Sequence, residues 1–178
     1  MQLPLSFYAR PTVEVARELL GKVIRHGALS ARIVETEAYL GAEDAAAHAA
    51  RGWTRRTSVI FGPPGRAYVY LIYGMHYCLN VVAERDGVAG CVLIRAAEPL
   101  AGVLAPSNGP GKLTRALGIT LEHYGADLTR GPLTIHSPAS DERFTIATSP
   151  RIGINKSADL PLRFFIRGNG FVSRERRR

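Results

Sequence analysis

The sequence has few of the features that mark secreted, metal-bound or membrane proteins. Only two cysteines, Cys78 and Cys91, occur in 178 residues. Neither has a cationic neighbour in sequence of the kind that activates a thiolate, so both are expected as small buried residues. With five dispersed histidines, His26, His48, His76, His123 and His136, they form no CxxC, HxxxH or HExxH spacing, and no metal is expected. The absence of GxxxxGK[ST] and of a strand-linked GxGxxG removes support for nucleotide cofactors, and no cofactor is expected. Apolar runs stay short of the ~18 residues a membrane helix needs. Arg10, Glu14, Arg17 and Glu18 interrupt the N-terminus where a signal peptide would need an apolar core. These absences predict a soluble protein with no membrane partner and no secretion signal, of cytoplasmic, nucleoid-associated location.

What is present is a core-forming composition with a basic surplus. At 46% hydrophobic residues, the chain suits one domain spanning 1–173 with a basic tail at 174–178. The formal charge of +8 suits a polyanion or an acidic surface. From Glu142 onward nine basic residues stand against three acidic ones, a local net charge of +6. The closing arginines read either as a solvated tail or as phosphate contacts.

Periodicity places the elements. Val13, Ala16, Leu19 and Leu20 form one stripe of a short helix over Thr12 to Leu20 that Gly21 stops. Lys22 to Arg25 and Ala31 to Leu40 read as a hairpin around His26-Gly27. Residues 41–67 form a long surface excursion with a short helix around Glu43 to Ala50. Ala67 to Tyr73, a turn at Gly74-Met75, and Tyr77 to Val82 make the strongest hairpin, and Cys91 to Ala96 follows. Asn108 to Gly118 is a helix with Leu113, Ala116 and Leu117 inward. Leu133 to His136, Phe144 to Ala147 and Leu162 to Ile166 are strands. Without a βαβ rhythm, this predicts an α+β fold: one compact domain around a curved, mainly antiparallel sheet with flanking short helices.

Alternation along the second strand puts Val34, Thr36, Ala38 and Leu40 on one face and Ile33, Glu35, Glu37 and Tyr39 on the other. Carboxylates on a polar face are by default solvated charges. Glu37 stands out through its company, because Tyr39 shares its face and His48 follows in the next loop, the ingredients of a pocket for a flat substrate. Tyr68 and Tyr70 share a face, while Tyr73 falls beside the turn, where a ring projects as an intercalating wedge would. Asn80 and Arg95 lie inside apolar strands, where a polar group needs a partner. For Arg95 that partner is either a core carboxylate or a phosphate.

The segments Arg-Ile-Val-Glu-Thr-Glu-Ala-Tyr-Leu-Gly (32–41), Tyr-Val-Tyr-Leu-Ile-Tyr-Gly-Met (68–75) and Cys-Val-Leu-Ile-Arg-Ala-Ala-Glu-Pro-Leu (91–100) resemble the alkyladenine DNA glycosylase family. Asn-Gly-Pro-Gly-Lys-Leu (108–113) and Pro-Leu-Arg-Phe-Phe-Ile-Arg-Gly (161–168) extend the resemblance to nearly the whole chain. It implies a monofunctional DNA glycosylase, a monomer acting on double-stranded DNA that contains damaged purines. Glu37 is then the general base that activates a water against C1′ of a flipped nucleotide, with Arg95 helping to hold the water or the carboxylate. Tyr39, His48 and Tyr70 enclose the base, Asn80 excludes guanine and Ile154 closes the pocket. Tyr73, flanked by Met75, fills the gap in the duplex, and Arg151 and Gly153 touch the DNA backbone. The stretch between Leu100 and Asn108 is shorter than in many relatives, so DNA contacts carried there are expected to be missing.

Two other readings stand beside this one. A nucleic-acid-binding module that stacks on bases without breaking a bond fits the composition equally well, but has no use for Glu37 near phosphates. A glycosidase acting on free nucleosides fits poorly with the charge and with Tyr73 at a hairpin tip.

Overall fold

The longest strands, β2 (Leu29–Tyr39) and β5 (Cys91–Ala101), run antiparallel and form the spine of the fold. The free edge of β2 is shared in sequence. Its first half pairs with β1 (Val23–His26), through Val23 opposite Arg32, and its second half with β8 (Arg163–Ile166), through Glu37 opposite Arg163. The hairpin β3 (Ala67–Ile72) and β4 (His76–Val82) joins β5, β6 (Leu133–His136) joins β1, and β7 (Ile146–Ser149) joins β8. Every pairing is antiparallel, and the sheet curls into a half-barrel with few short helices, an α+β domain. This computed structural model describes residues 1–140 and 142–173, so the Arg-rich tail lies outside the described residues.

Among the described residues three helices flank the sheet: α1 (Leu5–Tyr8), α2 (Thr12–Glu18) and α3 (Pro110–Ala116). Of the stripe, Ala16 is completely buried and Val13 half-buried, with Val15 outside the stripe also completely buried, and the Ala16 carbonyl accepts from Thr36 Oγ1 on β2 at 2.8 Å. Pro110 starts α3, where its missing N–H costs nothing, and Leu113 and Leu117 go fully into the core. The four residues of α1 carry too little pattern to be read from sequence.

Three expectations change in the structure. Strict alternation on β2 fails at residues 33–35, where the register against β5 shifts and Ile33 joins Val34 in the same core. Such bulges re-aim side chains, and this one sits beside the carboxylates. The helix expected over 43–50 is absent. Asp44 accepts from the N–H groups of Leu40 and Ala46, local bonds that compete with helical ones. Single 3-10 turns at His48–Arg51 and Ser58–Phe61 take its place. Finally, β7 begins two residues later than expected, because Phe144 packs against Gly21 instead of entering the strand.

Candidate active site

Glu37 ends up fully buried, not solvated. Its Oε1 accepts the backbone N–H of Ile152 at 2.7 Å and stands 3.3 Å from Arg95 Nη1, while Oε2 accepts the hydroxyl of Tyr39 at 2.9 Å. Burial pushes the Glu37 carboxyl above its ordinary value, and Arg95, Ile152 and Tyr39 oppose that rise. Tyr39 is raised in turn by burial and by Glu37, so it remains a phenol and a donor.

Glu35, two residues earlier, anchors a second layer. Its Oε1 accepts from Arg95 Nε at 3.0 Å, Arg163 Nε at 2.7 Å and Ser173 Oγ at 2.8 Å, and its Oε2 from the Ser173 N–H at 2.7 Å. Glu35, Glu37, Arg95 and Arg163 thus form a buried group of two negative and two positive charges. A buried guanidinium needs such compensation, because uncompensated charge in the interior costs several kcal/mol, on the order of 3–5 when a pair is broken. Of the two alternatives open for Arg95, the structure selects core carboxylates.

These groups back onto a cavity of about 280 Å³. Tyr39, His48, Tyr70, Asn80, Arg95, Gly153 and Ile154 all line it. The His48 and Tyr70 rings meet at 4.6 Å between centroids, tilted by 64°, and His48 Nδ1 lies 2.8 Å from the Tyr68 hydroxyl. Burial, together with the charges of Arg56 and Arg51, pulls His48 down to about 4, so its imidazole is neutral at pH 7. Asn80 is fixed by donation from Nδ2 to the Tyr68 carbonyl at 3.0 Å. The cavity therefore presents aromatic faces, a neutral imidazole, one rigid amide and the guanidiniums of Arg56 and Arg95, with the carboxylates of Glu35 and Glu37 set behind.

Arg151, expected to touch the DNA backbone, is placed in the interior. Its side chain is wholly enclosed. It donates to Asp44 Oδ1 at 2.8 Å and to the Ala38 carbonyl at 2.9 Å, and it lies 4.6 Å over the Tyr39 ring. With Asp44 holding it, the guanidinium covers one face of Tyr39 while the cavity takes another side of the same residue. Gly153, by contrast, is exposed at the cavity rim with φ of 76°, a conformation that suits glycine.

The hairpin tip turns on Tyr73 and Gly74, one residue earlier than expected, with φ of 53° and 68°. Tyr73 is 83% exposed and Met75 70%. Holding a tyrosine in left-handed backbone costs about 1–2 kcal/mol relative to a relaxed conformation. Its ring gains no burial in return.

Several residues of the site escaped the sequence reading. Glu35 was visible on the Glu37 face but indistinguishable from a solvated carboxylate. Asp44, Arg163 and Ser173 carry no local signal, because their partners lie 107, 128 and 138 residues away. Cys78 and Cys91 are buried as expected, and burial raises Cys91 to about 12.

The model of the methylpurine-DNA glycosylase family matches residues 6–170. The chain belongs to that family. A relative from Methanoculleus marisnigri, provisionally named a 3-methyladenine DNA glycosylase, is 47% identical over 98% of this chain and 100% of its own length. One from Legionella pneumophila with the same provisional name is 48% identical over 97% and 98%, and one from Anaeromyxobacter dehalogenans 51% identical over 98% and 87%. In a methylpurine-DNA glycosylase the substrate is DNA and the work is DNA repair, which accords with the basic surplus. Among the described residues, no helix of this glycosylase is long and apolar enough to cross a membrane, and no group of three or more His, Cys, Asp or Glu could hold a metal ion.

Proposed function

We propose that the protein excises alkylated purines of the 3-methyladenine type from duplex DNA by hydrolysis, acting as a monomer in the cytoplasm and leaving an abasic site. The observation that carries this reading is the convergence of Arg95, the Tyr39 hydroxyl and the Ile152 N–H on Glu37, at the back of an aromatic cavity. A carboxylate offers about four lone-pair sites. Oε1 is taken by Ile152 and Arg95 and Oε2 by Tyr39, which leaves Oε2 an acceptor site for a water.

The chemistry balances with this chain's own groups. The flipped purine departs with the electron pair of its glycosidic bond as C1′ takes on oxocarbenium character. Water adds to C1′, and its proton passes to Glu37. A purine alkylated at N3 carries positive charge and leaves as a neutral base, so it needs no acid. Among the described residues no lysine lines the cavity, and that supports water over an amine as the nucleophile.

Recognition follows from the same charge. Tyr39 and Tyr70 offer ring faces on which a cationic base gains ~0.5–2 kcal/mol. His48, held neutral, adds no repulsion. Asn80 is a rigid wall against the 2-amino group of guanine, and Ile154 closes the cavity beside Gly153. Tyr73, with Met75 beside it, enters the gap that flipping leaves in the duplex. Neutral lesions such as hypoxanthine and ethenoadenine lack the activating charge and require protonation of the leaving base.

A duplex bearing one 3-methyladenine analogue, treated with alkali after incubation, tests the reading. We expect strand breaks only after alkali, and their formation to be slowed by about a hundred-fold or more with Glu37→Gln. Equal release by wild type and Glu37→Gln would remove Glu37 from the mechanism. Breaks without alkali would exclude the monofunctional reading.

A further inference from the structure

The 51–56 loop is unusual for what it exposes. Trp53, the chain's one tryptophan, is 69% exposed, and Arg51, Arg55 and Arg56 around it are exposed as well. The loop is firmly built from beneath. Thr54 and Thr57 bind each other reciprocally, with Thr54 N–H to Thr57 Oγ1 at 2.8 Å and Thr57 N–H to Thr54 Oγ1 at 3.1 Å. Buried Thr57 also donates to the Gly52 carbonyl at 3.0 Å, and the Tyr124 hydroxyl bonds the carbonyls of Arg55 and Arg56. A tryptophan would normally be buried, yet here the backbone beneath is fixed and the indole is held outward.

Two observations indicate what covers it. From Ala45 to Ala83 the chain holds four arginines and no aspartate or glutamate; Arg66 pairs with Asp127, and Arg51, Arg55 and Arg56 are exposed on the loop itself. Arg56 also lines the cavity and lies 5.3 Å over the Tyr70 ring, while Leu71 and Ile72, which lead to the Tyr73 tip, line the same cavity. The loop and the hairpin tip therefore border one mouth.

We propose that the 51–56 loop is a second DNA-binding surface beside the cavity, with Arg51 and Arg55 on phosphates and Trp53 stacked on a base or sugar outside the flipped nucleotide. This rests on the reading of the protein as a DNA glycosylase. Guanidinium groups supply sequence-independent affinity for the backbone, and an indole face stacks on any base. Arg56 takes no part in this surface, because its guanidinium already packs on Tyr70 at the cavity mouth.

Trp53 is its own reporter, since no other tryptophan contributes to emission. Full-length Glu37→Gln protein is titrated with fluorescein-labelled duplex, with and without a lesion, while Trp emission and fluorescein anisotropy are followed together. We expect emission to change in step with anisotropy on both duplexes and to recover with added salt. Trp53→Ala should weaken Kd by about five-fold or more, with Trp53→Phe partly restoring it. Replacing Arg51 and Arg55 by serine should flatten the slope of log K against log salt by about 0.9 for each phosphate that is no longer neutralised.

Anisotropy that rises while emission stays constant and Trp53→Ala binds as wild type would overturn the second surface and leave the glycosylase reading intact. No rise in anisotropy on any duplex would sink the glycosylase reading itself. Emission that follows protein concentration without DNA, and ignores the duplex, would assign the loop to contact between copies and also overturn the proposal.

Discussion

The backbone N–H of Ile152 donates to Glu37 Oε1 at 2.7 Å, joining residues 115 apart in sequence. This donor and Arg95 keep the carboxylate ionisable although it is wholly buried. Burial is the largest influence and pushes Glu37 above the ordinary glutamate value of 4.5. The base is active when deprotonated, so single-turnover excision should rise with pH along a limb centred above 4.5 and then level off. Glu37→Gln should abolish the limb and lower the rate by about a hundred-fold or more.

Glu35 tunes that limb from behind. It faces Arg95 from β5, Arg163 from β8 and Ser173, while Tyr39 on its own strand, Cys78 on β4 and Arg151 with Asp44 surround Glu37. Glu35 raises Glu37, so Glu35→Gln should move the limb to lower pH and reduce the plateau. Glu35→Ala should cost on the order of 3–5 kcal/mol of stability, because two buried guanidiniums then face one carboxylate. A limb that does not move in Glu35→Gln would reduce Glu35 to a structural role.

His48 should register in stability. Its folded value of about 4 lies below the ordinary 6.5, so the contribution of the neutral ring is whole above 6.5. As pH falls from 6.5 towards 4, the unfolded chain takes up the proton first and stability declines. Tm measured across this window should fall for wild type and fall less for His48→Gln.

Tyr73→Gly should leave the fold intact. The substitution relieves a left-handed tyrosine at the cost of glycine's greater unfolded freedom, and these nearly cancel, at about 1 kcal/mol each. Excision from duplex should nevertheless drop, while excision from a single-stranded substrate, which has no gap to fill, should hold. Equal loss on both substrates would argue against a wedge.

Arg151→Met should test the enclosed ion pair. The Asp44 carboxylate would be left buried without its charge partner, and Tm should fall sharply. The salt dependence of DNA binding should stay as in wild type, since the guanidinium reaches no solvent. A flatter salt slope would restore Arg151 to the DNA backbone.

The legible parts of this protein are those with a short-range signature. Alternation over Ala67 to Val82 marked the hairpin, and the stripes at Val13 to Leu20 and Leu113 to Leu117 marked two helices, because burial there repeats at the period of the element. Parity also placed Glu37 and Tyr39 on one face and Tyr73 beside a turn. What parity missed is the bulge at residues 33–35, where pairing with β5 slips. The helix expected over 43–50 also failed, because Asp44 satisfies the backbone locally and is held by an arginine 107 residues away.

The sequence by itself determined an antiparallel α+β domain, a basic chain suited to a polyanion, and a carboxylate with aromatic company, since each depends on composition or on neighbours within a few residues. Only the tertiary structure decided that Glu37 is buried and not solvated, that Glu35 and Glu37 hold Arg95 in place, and that Arg151 packs on Tyr39. Those outcomes depend on which distant charges share a low-dielectric interior, and strand order, not local pattern, brings them together.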